Sequence, residues 1–336
     1  MNPVEALERV VYCLDRSFDQ SPRAKAFSRA LSVLRPLDAD EIAERVATDT
    51  LTELEGIGAT SAKIVAEALT GQTPGYLAKL EVESVITMSE PAAALRSLLK
   101  GDCHSHSVWS DGGAPLPAMA RTAIALGHEY LVATDHSPRL TIAHGLNRER
   151  LVDQLDEIAA LNEQLAPFRV LTGMEVDINE DGTLDLADDL LARLDLVVAS
   201  VHSKLRMDER KMTERMVLAV ASPHVDILGH CTGRLIGHRP QSTFDPDYVF
   251  AACAQFGTAV ELNCRPERLD PPAELIDVAL GYGCLFSIDS DAHSPGQLEW
   301  QPHGCEMAVA RAIPPERIIN TWPLDQLLAW TASKAS

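Results

Sequence analysis

Residues 130–136 read Tyr-Leu-Val-Ala-Thr-Asp-His, a short apolar run that ends in an aspartate and a histidine. A run of this length, bounded by polar residues, is typical of a buried strand. Five further runs follow, at residues 169–172, 194–200, 225–229, 258–262 and 284–288. Helical patterns lie between them, at residues 148–165, 246–256 and 272–281. This alternation predicts a parallel sheet, either open or closed into a barrel.

Side chains of the types that bind metal ions stand at the ends of nearly all of these runs. They follow the carboxyl ends of the predicted strands, which is where parallel α/β barrels place their active sites. Residues that are far apart in sequence are therefore expected to meet in space. The residues concerned are His104, His106, Asp135, His136, Glu175, Asp177, His202, His230, Asp289, Asp291 and His293.

Two of these clusters have a spacing that suits a single ion. Residues i and i+2 of an extended segment point to the same side, so His104 with His106 can bind one ion together. The same holds for Asp291 with His293. Asp111 follows in the sequence Trp-Ser-Asp-Gly, a turn that can bring its carboxylate back over the site.

The distribution of histidines favours a metal centre over scattered structural roles. Six of the eleven histidines follow predicted strands, and none of these six lies inside a predicted helix. A lone histidine is more often structural or exposed than a ligand, and that interpretation is kept for the other five. These five are His128, His144, His224, His238 and His303.

Imidazole and carboxylate ligands suit Zn²⁺, Mn²⁺ or Fe²⁺. Nine such ligands exceed the need of one ion and predict a cluster of two or three divalent ions. The seven cysteines include no C-x-x-C pair, and their odd number argues against a disulfide framework and for a reducing cytosol. Cys103 and Cys231 are interpreted as small buried apolar residues rather than as further ligands.

The formal net charge of -20 argues against broad, sequence-independent binding of nucleic acid, because such binding depends on Lys and Arg side chains that neutralise phosphates. A local basic site remains compatible with this charge. The first residues are acidic and contain no apolar run, so no signal peptide is expected. No stretch of about 18 apolar residues is present, so no membrane partner is expected and a cytoplasmic location is predicted.

Residues 1–90 have a different pattern from the rest of the chain and are predicted to form a helical domain, followed by a second domain at residues 91–336. Apolar residues recur there at helical spacing, with no β alternation. Gly56 and Gly58 predict a tight turn before a helix, and residues 84–98 are predicted to be a linker. This first domain holds nine basic and fifteen acidic side chains.

Residues 100–332 resemble the PHP (polymerase and histidinol phosphatase) domain, and in particular the C-terminal domain of bacterial family X DNA polymerases. The family pattern of His-x-His, Ser-Asp-Gly, Thr-Asp-His, Gly-x-Glu, Ser-Val-His, Leu-Gly-His and Asp-Ala-His is met at every position. The matching residues are His104, His106, Asp111, His136, Glu175, His202, His230, Asp291 and His293. The resemblance implies a distorted seven-stranded (β/α) barrel.

The resemblance also implies how three ions would be divided among these residues. One ion would take His104, His106, Glu175 and Asp291. A second would share Glu175 and add His202 and His230, and a third would take Asp111, His136 and His293.

Residues 20–82 are similar to the small helix-hairpin-helix domain of the same polymerases, which implies DNA binding through the backbone at Gly56 and Gly58. The polymerase palm is missing between the two parts, so the chain is not expected to polymerise DNA. Glu55 stands where the family usually has proline, and Lys63 is one residue out of register with the family's lysine. A structural or protein-contact role is therefore the alternative for this domain.

The family resemblance implies a metal-dependent phosphoesterase, with Glu175, His202 and His293 as catalytic residues. Asp135, Asp177 and Asp289 are candidates to orient the ligand imidazoles from behind, with a structural role at the strand ends as the alternative. Arg234, Arg265, Arg268 and Lys204 are candidates to bind a substrate phosphate, with surface salt bridges as the alternative role. The substrate expected first is a DNA end, as in a nuclease or 3′-end processing enzyme of DNA repair. The alternatives are a small metabolite such as histidinol phosphate, or a non-catalytic DNA- or protein-binding module.

Overall fold

The computed structural model describes residues 1–334 and divides the chain into two compact units, Met1–Thr87 and a second unit from Met88 onward. None of the helices in this described part is long and apolar enough to cross a membrane.

The first unit is helical, as the sequence predicted. It consists of a short 3₁₀ turn (Leu51–Glu53) and helices α1 (Pro3–Arg16), α2 (Pro22–Leu34), α3 (Ala39–Ala47), α4 (Ala59–Leu69) and α5 (Gly75–Glu83). Helix α1 begins with a capping box, in which the Asn2 side chain accepts from the backbone of Val4 and Glu5 bonds back to the Asn2 N–H. Its buried face, which includes Leu7 and Val10, lies at the centre of the unit's apolar core.

The turn predicted at the two glycines is present between the 3₁₀ turn and α4. Gly56 has a φ of +102°, and a Cβ atom there would lie 3.0 Å from the Arg29 side chain. Glycine adopts this positive φ without strain and, having no Cβ, leaves room for the Arg29 side chain. Gly58 is the N-cap of α4, so the N–H groups of the first residues of α4 have no partner within the helix.

The second unit is built around a single sheet of seven parallel strands in which each strand pairs with its sequence neighbours. The strands are β1 (Gly101–Ser105), β2 (Tyr130–Ala133), β3 (Arg169–Asp177), β4 (Leu196–Ser200), β5 (Ile227–Leu228), β6 (Ala259–Asn263) and β7 (Phe286–Asp289). Nearly every strand residue is buried, as expected for a parallel sheet covered by helices.

The sheet curls so that its first and last strands meet. Ser105 forms a parallel bridge with Ala292, and the His106 N–H donates to the Ala292 carbonyl at 2.8 Å. The Cys103 N–H, deeper in β1, donates to the Asp289 carboxylate at 2.8 Å. The expected seven-stranded (β/α) barrel is thereby confirmed, and its seam lies directly beside the predicted metal ligands.

Helices connect the strands and cover the barrel. They are α6 (Glu90–Arg96), α7 (Leu116–Ala125), α8 (Arg148–Leu165), α9 (Asp188–Leu191), α10 (Glu209–Val220), α11 (Pro246–Phe256), α12 (Ala273–Tyr282), α13 (Gln301–Ala310) and α14 (Leu324–Lys334). One apolar cluster joins α7 and α8 to β2 and β3. Another joins the strands to Leu327 of α14.

The structure corrects one sequence prediction, the linker at residues 84–98. Residues 90–96 form α6, which is capped by the Ser89 hydroxyl and packs against α13 through the buried side chains of Ala92 and Leu95. The helix is only seven residues long, so its two buried residues gave too little periodicity to predict it. All seven cysteines are free and buried, as predicted for Cys103 and Cys231.

Candidate metal centre

The structure brings all nine predicted ligand residues to the carboxyl end of the barrel. They are His104 and His106 at the end of β1, Asp111 in the following loop, His136 after β2, Glu175 in β3, His202 after β4, His230 after β5, and Asp291 and His293 after β7. The parallel strands end at the same face, which is why residues nearly 190 positions apart meet there.

Glu175 lies at the centre of this group, with 1% of its side chain exposed. Its Oε1 atom lies 2.9 Å from His230 Nε2 and 3.2 Å from His202 Nε2. Its Oε2 atom faces three other imidazoles, at 2.8 Å from His136 Nδ1, 3.4 Å from His104 Nε2 and 3.6 Å from His106 Nε2. One carboxylate therefore faces five imidazoles, which is the arrangement of a bridging ligand.

Three sets of side chains have donor atoms within 4.8 Å of one another. They are His104, His106 and Asp291; His136, Glu175 and His202; and His106, Asp111, His136 and His293. Among the described residues the division differs from the one that the family implies. Glu175 lies in one set rather than two, His230 lies in none, and His106 and His136 each lie in two sets. Asp291 and His293 share no set, although their spacing had predicted a common ion.

The polar atoms at the centre have no hydrogen-bond partner. Nitrogen atoms of four histidines and both carboxylate oxygens of Glu175 are buried in this way. Three of these nitrogen atoms, on His136, His104 and His106, lie 2.8, 3.4 and 3.6 Å from Glu175 Oε2. Buried polar groups are nearly always satisfied, so a cluster of buried nitrogen and carboxylate oxygen atoms without partners fits a site for cations. The histidine atoms are His104 Nε2, His106 Nδ1 and Nε2, His136 Nδ1 and His230 Nδ1.

The charges of the site are set by burial and by these close contacts. Burial alone would raise the pKa of Glu175, but His202, His104 and His136 hold it well below its usual range. Burial and the neighbouring imidazoles of His293 and His136 lower the pKa of His106 to about 3. A carboxylate that stays ionised beside a neutral imidazole provides the two protonation states that metal binding requires.

Two carboxylates hold the ligand imidazoles from behind. Asp177 Oδ1 lies 2.6 Å from His202 Nδ1, as the sequence had suggested for that aspartate. Sequence reasoning missed the other, Glu261 in β6, whose Oε1 lies 2.6 Å from His104 Nδ1 and whose Oε2 accepts from the His230 N–H. The available signal was an acidic residue between Val260 and Leu262 in a predicted buried strand.

Glu261→Gln is expected to weaken metal binding or hydrolysis by about 10–100-fold, the usual cost of losing a partner that orients a ligand. The amide would keep one acceptor for His104 but would turn the other into a donor facing the His230 N–H. Isothermal titration with Zn²⁺ or Mn²⁺ would measure this. Glu274→Gln, on the exposed surface of α12, is the control, and equal affinities for the two variants would contradict the proposed role.

The other two aspartates suggested for this role do not contact ligand imidazoles. Asp135 accepts from the backbone and hydroxyl groups of Ser107 and Ser110, and so fixes the loop that carries Asp111. Asp289 accepts from the Cys103 N–H and from Asn320 at 2.8 Å, and so joins the first and last strands. Both are buried at the ends of strands and support the backbone of the site.

A cavity of about 350 Å³ opens over the centre. Two of the four predicted phosphate-binding residues line it, namely Arg265 and Arg268, and Arg268 Nε lies 3.3 Å from Asp291 Oδ2. Arg239, which sequence reasoning missed, lines it as well. One wall is apolar and includes Ile142, which is 88% exposed.

The remaining two predicted residues do not line this cavity. The Arg234 guanidinium is bound to the backbone carbonyls of Arg268 and Leu269, so it supports the loop that carries Arg268. Lys204 lines a neighbouring cavity. Gly56 and Gly58 lie in the first unit, and their expected contact with DNA remains a prediction.

Comparison with known proteins agrees with this geometry. The family model described as PHP domain matches residues 102–256. The DNA polymerase/3′-5′ exonuclease PolX of Bacillus subtilis is 40% identical over 232 residues, which are 69% of this chain and 41% of that protein. A probable phosphatase of Thermoanaerobacter sp. strain X514 is 30% identical over 204 residues, 57% of this chain and 78% of that protein.

Among solved structures, histidinol phosphate phosphatase of Lactococcus lactis has a TM-score of 0.44 at 16% identity, covering 64% of this chain and 94% of that one. The chain thus spans under half the length of the Bacillus subtilis polymerase. It covers most of the length of both phosphatases. On the strength of these sequence matches, the chain belongs to the PHP domain family.

Proposed function

We propose that the chain is a metal-dependent phosphoesterase, a hydrolase of phosphate esters. The observation that carries this proposal is the buried Glu175 carboxylate, which faces five imidazoles whose nitrogen atoms lack other partners in most cases. The fold positions this group under an open cavity, where a substrate can reach it.

We propose that the nine residues hold two or three divalent ions of zinc, manganese or iron, with Glu175 shared between two of them. Ions in such a cluster lower the pKa of a bound water and neutralise phosphate oxygens. Glu175 and Asp291 supply the negative charge that attracts the cations. His202 is kept in place by Asp177, at 2.6 Å, and His293 lies at the more exposed edge, with 20% of its side chain exposed.

The cations of the cavity wall supply the complementary charge for the substrate. Arg268 and Arg265 face the centre from the loop after β6, and a guanidinium can bind two phosphate oxygens at once. Arg265 is held by Glu267 at 2.7 Å and lies 3.2 Å from His293 Nδ1. We infer that these two arginines position the phosphate ester over Glu175 and exclude substrates that lack a negative charge.

For the substrate we propose first a phosphodiester at a DNA end, within a cytoplasmic DNA repair process. The sequence match to a protein named polymerase and 3′-5′ exonuclease supports this choice, because it extends over 69% of this chain at 40% identity. The turn at Gly56 and Gly58, with helix N–H groups free at the N-terminus of α4, supports a helix-hairpin-helix domain at residues 1–90 that contacts a DNA phosphate.

A small phosphorylated metabolite is the second candidate. The net charge of -20 repels a long polyanion, and a relative of which this chain covers 78% is named a probable phosphatase. The apolar wall at Ile142 can accept the organic part of either substrate.

A substrate panel with the full chain, loaded with Mn²⁺ or Zn²⁺, tests both the activity and the substrate. We expect hydrolysis of an end-labelled DNA oligonucleotide, and we expect it to fall steeply with salt because phosphate contacts release counterions. Histidinol phosphate and p-nitrophenyl phosphate are the comparison substrates. Faster turnover of the metabolite, with a flat salt response, would favour the second candidate, and no turnover of any ester would reject the phosphoesterase.

A further inference from the structure

A second cavity, of about 610 Å³, adjoins the cavity over the metal centre. The two share Arg239 as a lining residue. The second cavity is formed by the segment after β4 and by residues 239–243, and its lining includes Lys204, Arg206 and Arg239. None of its lining residues is acidic, which is unusual in a chain with 49 acidic and 29 basic side chains.

Two of the three cations of this cavity have no salt-bridge partner. Lys204 and Arg206 are exposed, and within the described residues neither side chain forms a salt bridge. The other basic residues nearby differ in this respect, since Arg210 lies 3.0 Å from Glu214. Cations without partners create a local positive potential even when the net charge of the protein is negative.

Arg239 is fixed at the boundary between the two cavities. Its Nε donates to the Gly233 carbonyl at 2.8 Å, which leaves the terminal nitrogens of the guanidinium for a ligand. Burial lowers the pKa of Arg239, but arginine stays charged at neutral pH. Lys204, Arg206 and Arg239 therefore line a cavity that adjoins the one over Glu175.

We propose that this second cavity, which we call the basic cavity, is a subsite for the phosphate of the nucleotide next to the scissile phosphodiester in a single-stranded polynucleotide. A metabolite with one phosphate would use only the cations over the metal centre, Arg265 and Arg268. A strand carries a further phosphate on each neighbouring nucleotide, and proteins bind such strands with basic grooves that follow the backbone. The apolar wall at Ile142 offers a surface for a base. This inference rests on the proposed phosphoesterase function and names its substrate class.

The test compares two charge-matched double variants of the full chain. Lys204→Gln/Arg206→Gln removes two cations from the basic cavity. Arg210→Gln/Lys211→Gln removes two cations from the start of α10, outside the lining, and so changes the net charge equally. The substrates are a 12-residue oligothymidylate and bis(p-nitrophenyl) phosphate, a short diester that has no second phosphate.

We expect the first variant to lower kcat/KM for the oligonucleotide by about tenfold or more relative to the second, mainly through KM, since a remote contact helps only a substrate that reaches it. Hydrolysis of the short diester should differ by less than about twofold between the variants. The slope of log affinity against log salt should become shallower by about 0.7, the value for one lost phosphate contact on a single strand.

Two results would overturn the subsite while leaving the phosphoesterase intact: equal loss on both substrates, or no greater loss than in the control variant. If the wild type hydrolyses neither diester, the monoesters of the substrate panel decide the phosphoesterase, and fluorescence anisotropy of a labelled oligonucleotide decides the subsite. Weaker binding only in Lys204→Gln/Arg206→Gln would support it, and equal binding by the two variants would reject it.

Discussion

Replacing Glu175 with glutamine is expected to lower the rate of phosphate ester hydrolysis by about a thousandfold or more, equivalent to about 4 kcal/mol of transition-state stabilisation. The glutamine has nearly the same volume, so the packing of β3 is preserved. It has no charge, however, and one of its two terminal atoms is a donor. Five imidazoles face this position. A neutral amide would not bridge two cations bound by these imidazoles.

Circular dichroism and thermal unfolding would establish that Glu175→Gln is folded, and elemental analysis would count the ions it retains. Glu306→Gln is a suitable control because Glu306 also lies in the second unit and bonds to Ser89, away from the cavity. Hydrolysis by Glu175→Gln above about a tenth of the wild-type rate would show that Glu175 is not a bridging ligand.

Removing the ions is expected to abolish hydrolysis and reloading is expected to restore it. Protein purified without chelator should hold at least two ions per chain, because the donor atoms form three sets at this end of the barrel. After dialysis against a chelator the rate should fall below about 1% of the loaded value, since the ions supply both the nucleophile and the charge that stabilises the transition state.

Inductively coupled plasma mass spectrometry would count the ions, and the same preparation would be assayed before and after adding Mn²⁺ or Zn²⁺. The control is an untreated sample carried through dialysis without chelator. Less than one ion per chain after reloading, or full activity in the stripped protein, would refute the metal-dependent proposal. The identity of the ion that restores the highest rate would also distinguish among zinc, manganese and iron.

The parallel sheet was predictable because two patterns agreed, and its closure into a barrel was implied by the family resemblance. Short apolar runs such as 130–134 set the strands, and metal-binding residues at their carboxyl ends set the direction of the sheet. The observed α8 and α11 have the bounds that the sequence predicted. Helix α6 was not predicted, because its two buried residues depend on a partner, α13, that lies about 200 positions later in the chain.

The grouping of the candidate ligands was predictable from the sequence, but their surroundings were not. Residue types that bind metal ions, at recurring positions after the strands, are visible in a sequence, so His104 and eight other candidates could be named. Residues that act through another side chain have no such pattern, and Glu261 was missed for that reason. Arg239 was missed because only folding shows which of the many arginines reaches the cavity.

The seam between β1 and β7 links metal binding to the stability of the barrel. His104 and His106 lie on one side of this seam and Asp291 on the other, and the Ser105–Ala292 bridge joins them. An ion bound to these three residues would act as a reversible cross-link across a loop of more than 180 residues, reducing the conformational entropy of the open chain.

Loading and folding would then be one linked equilibrium. At a free ion concentration about 100 times the dissociation constant, the folded barrel would gain about 2.7 kcal/mol. When the ion is scarce, a smaller fraction of the protein would therefore be folded, in addition to being inactive. The supply of the ion would then control the lifetime of the protein as well as its rate of hydrolysis.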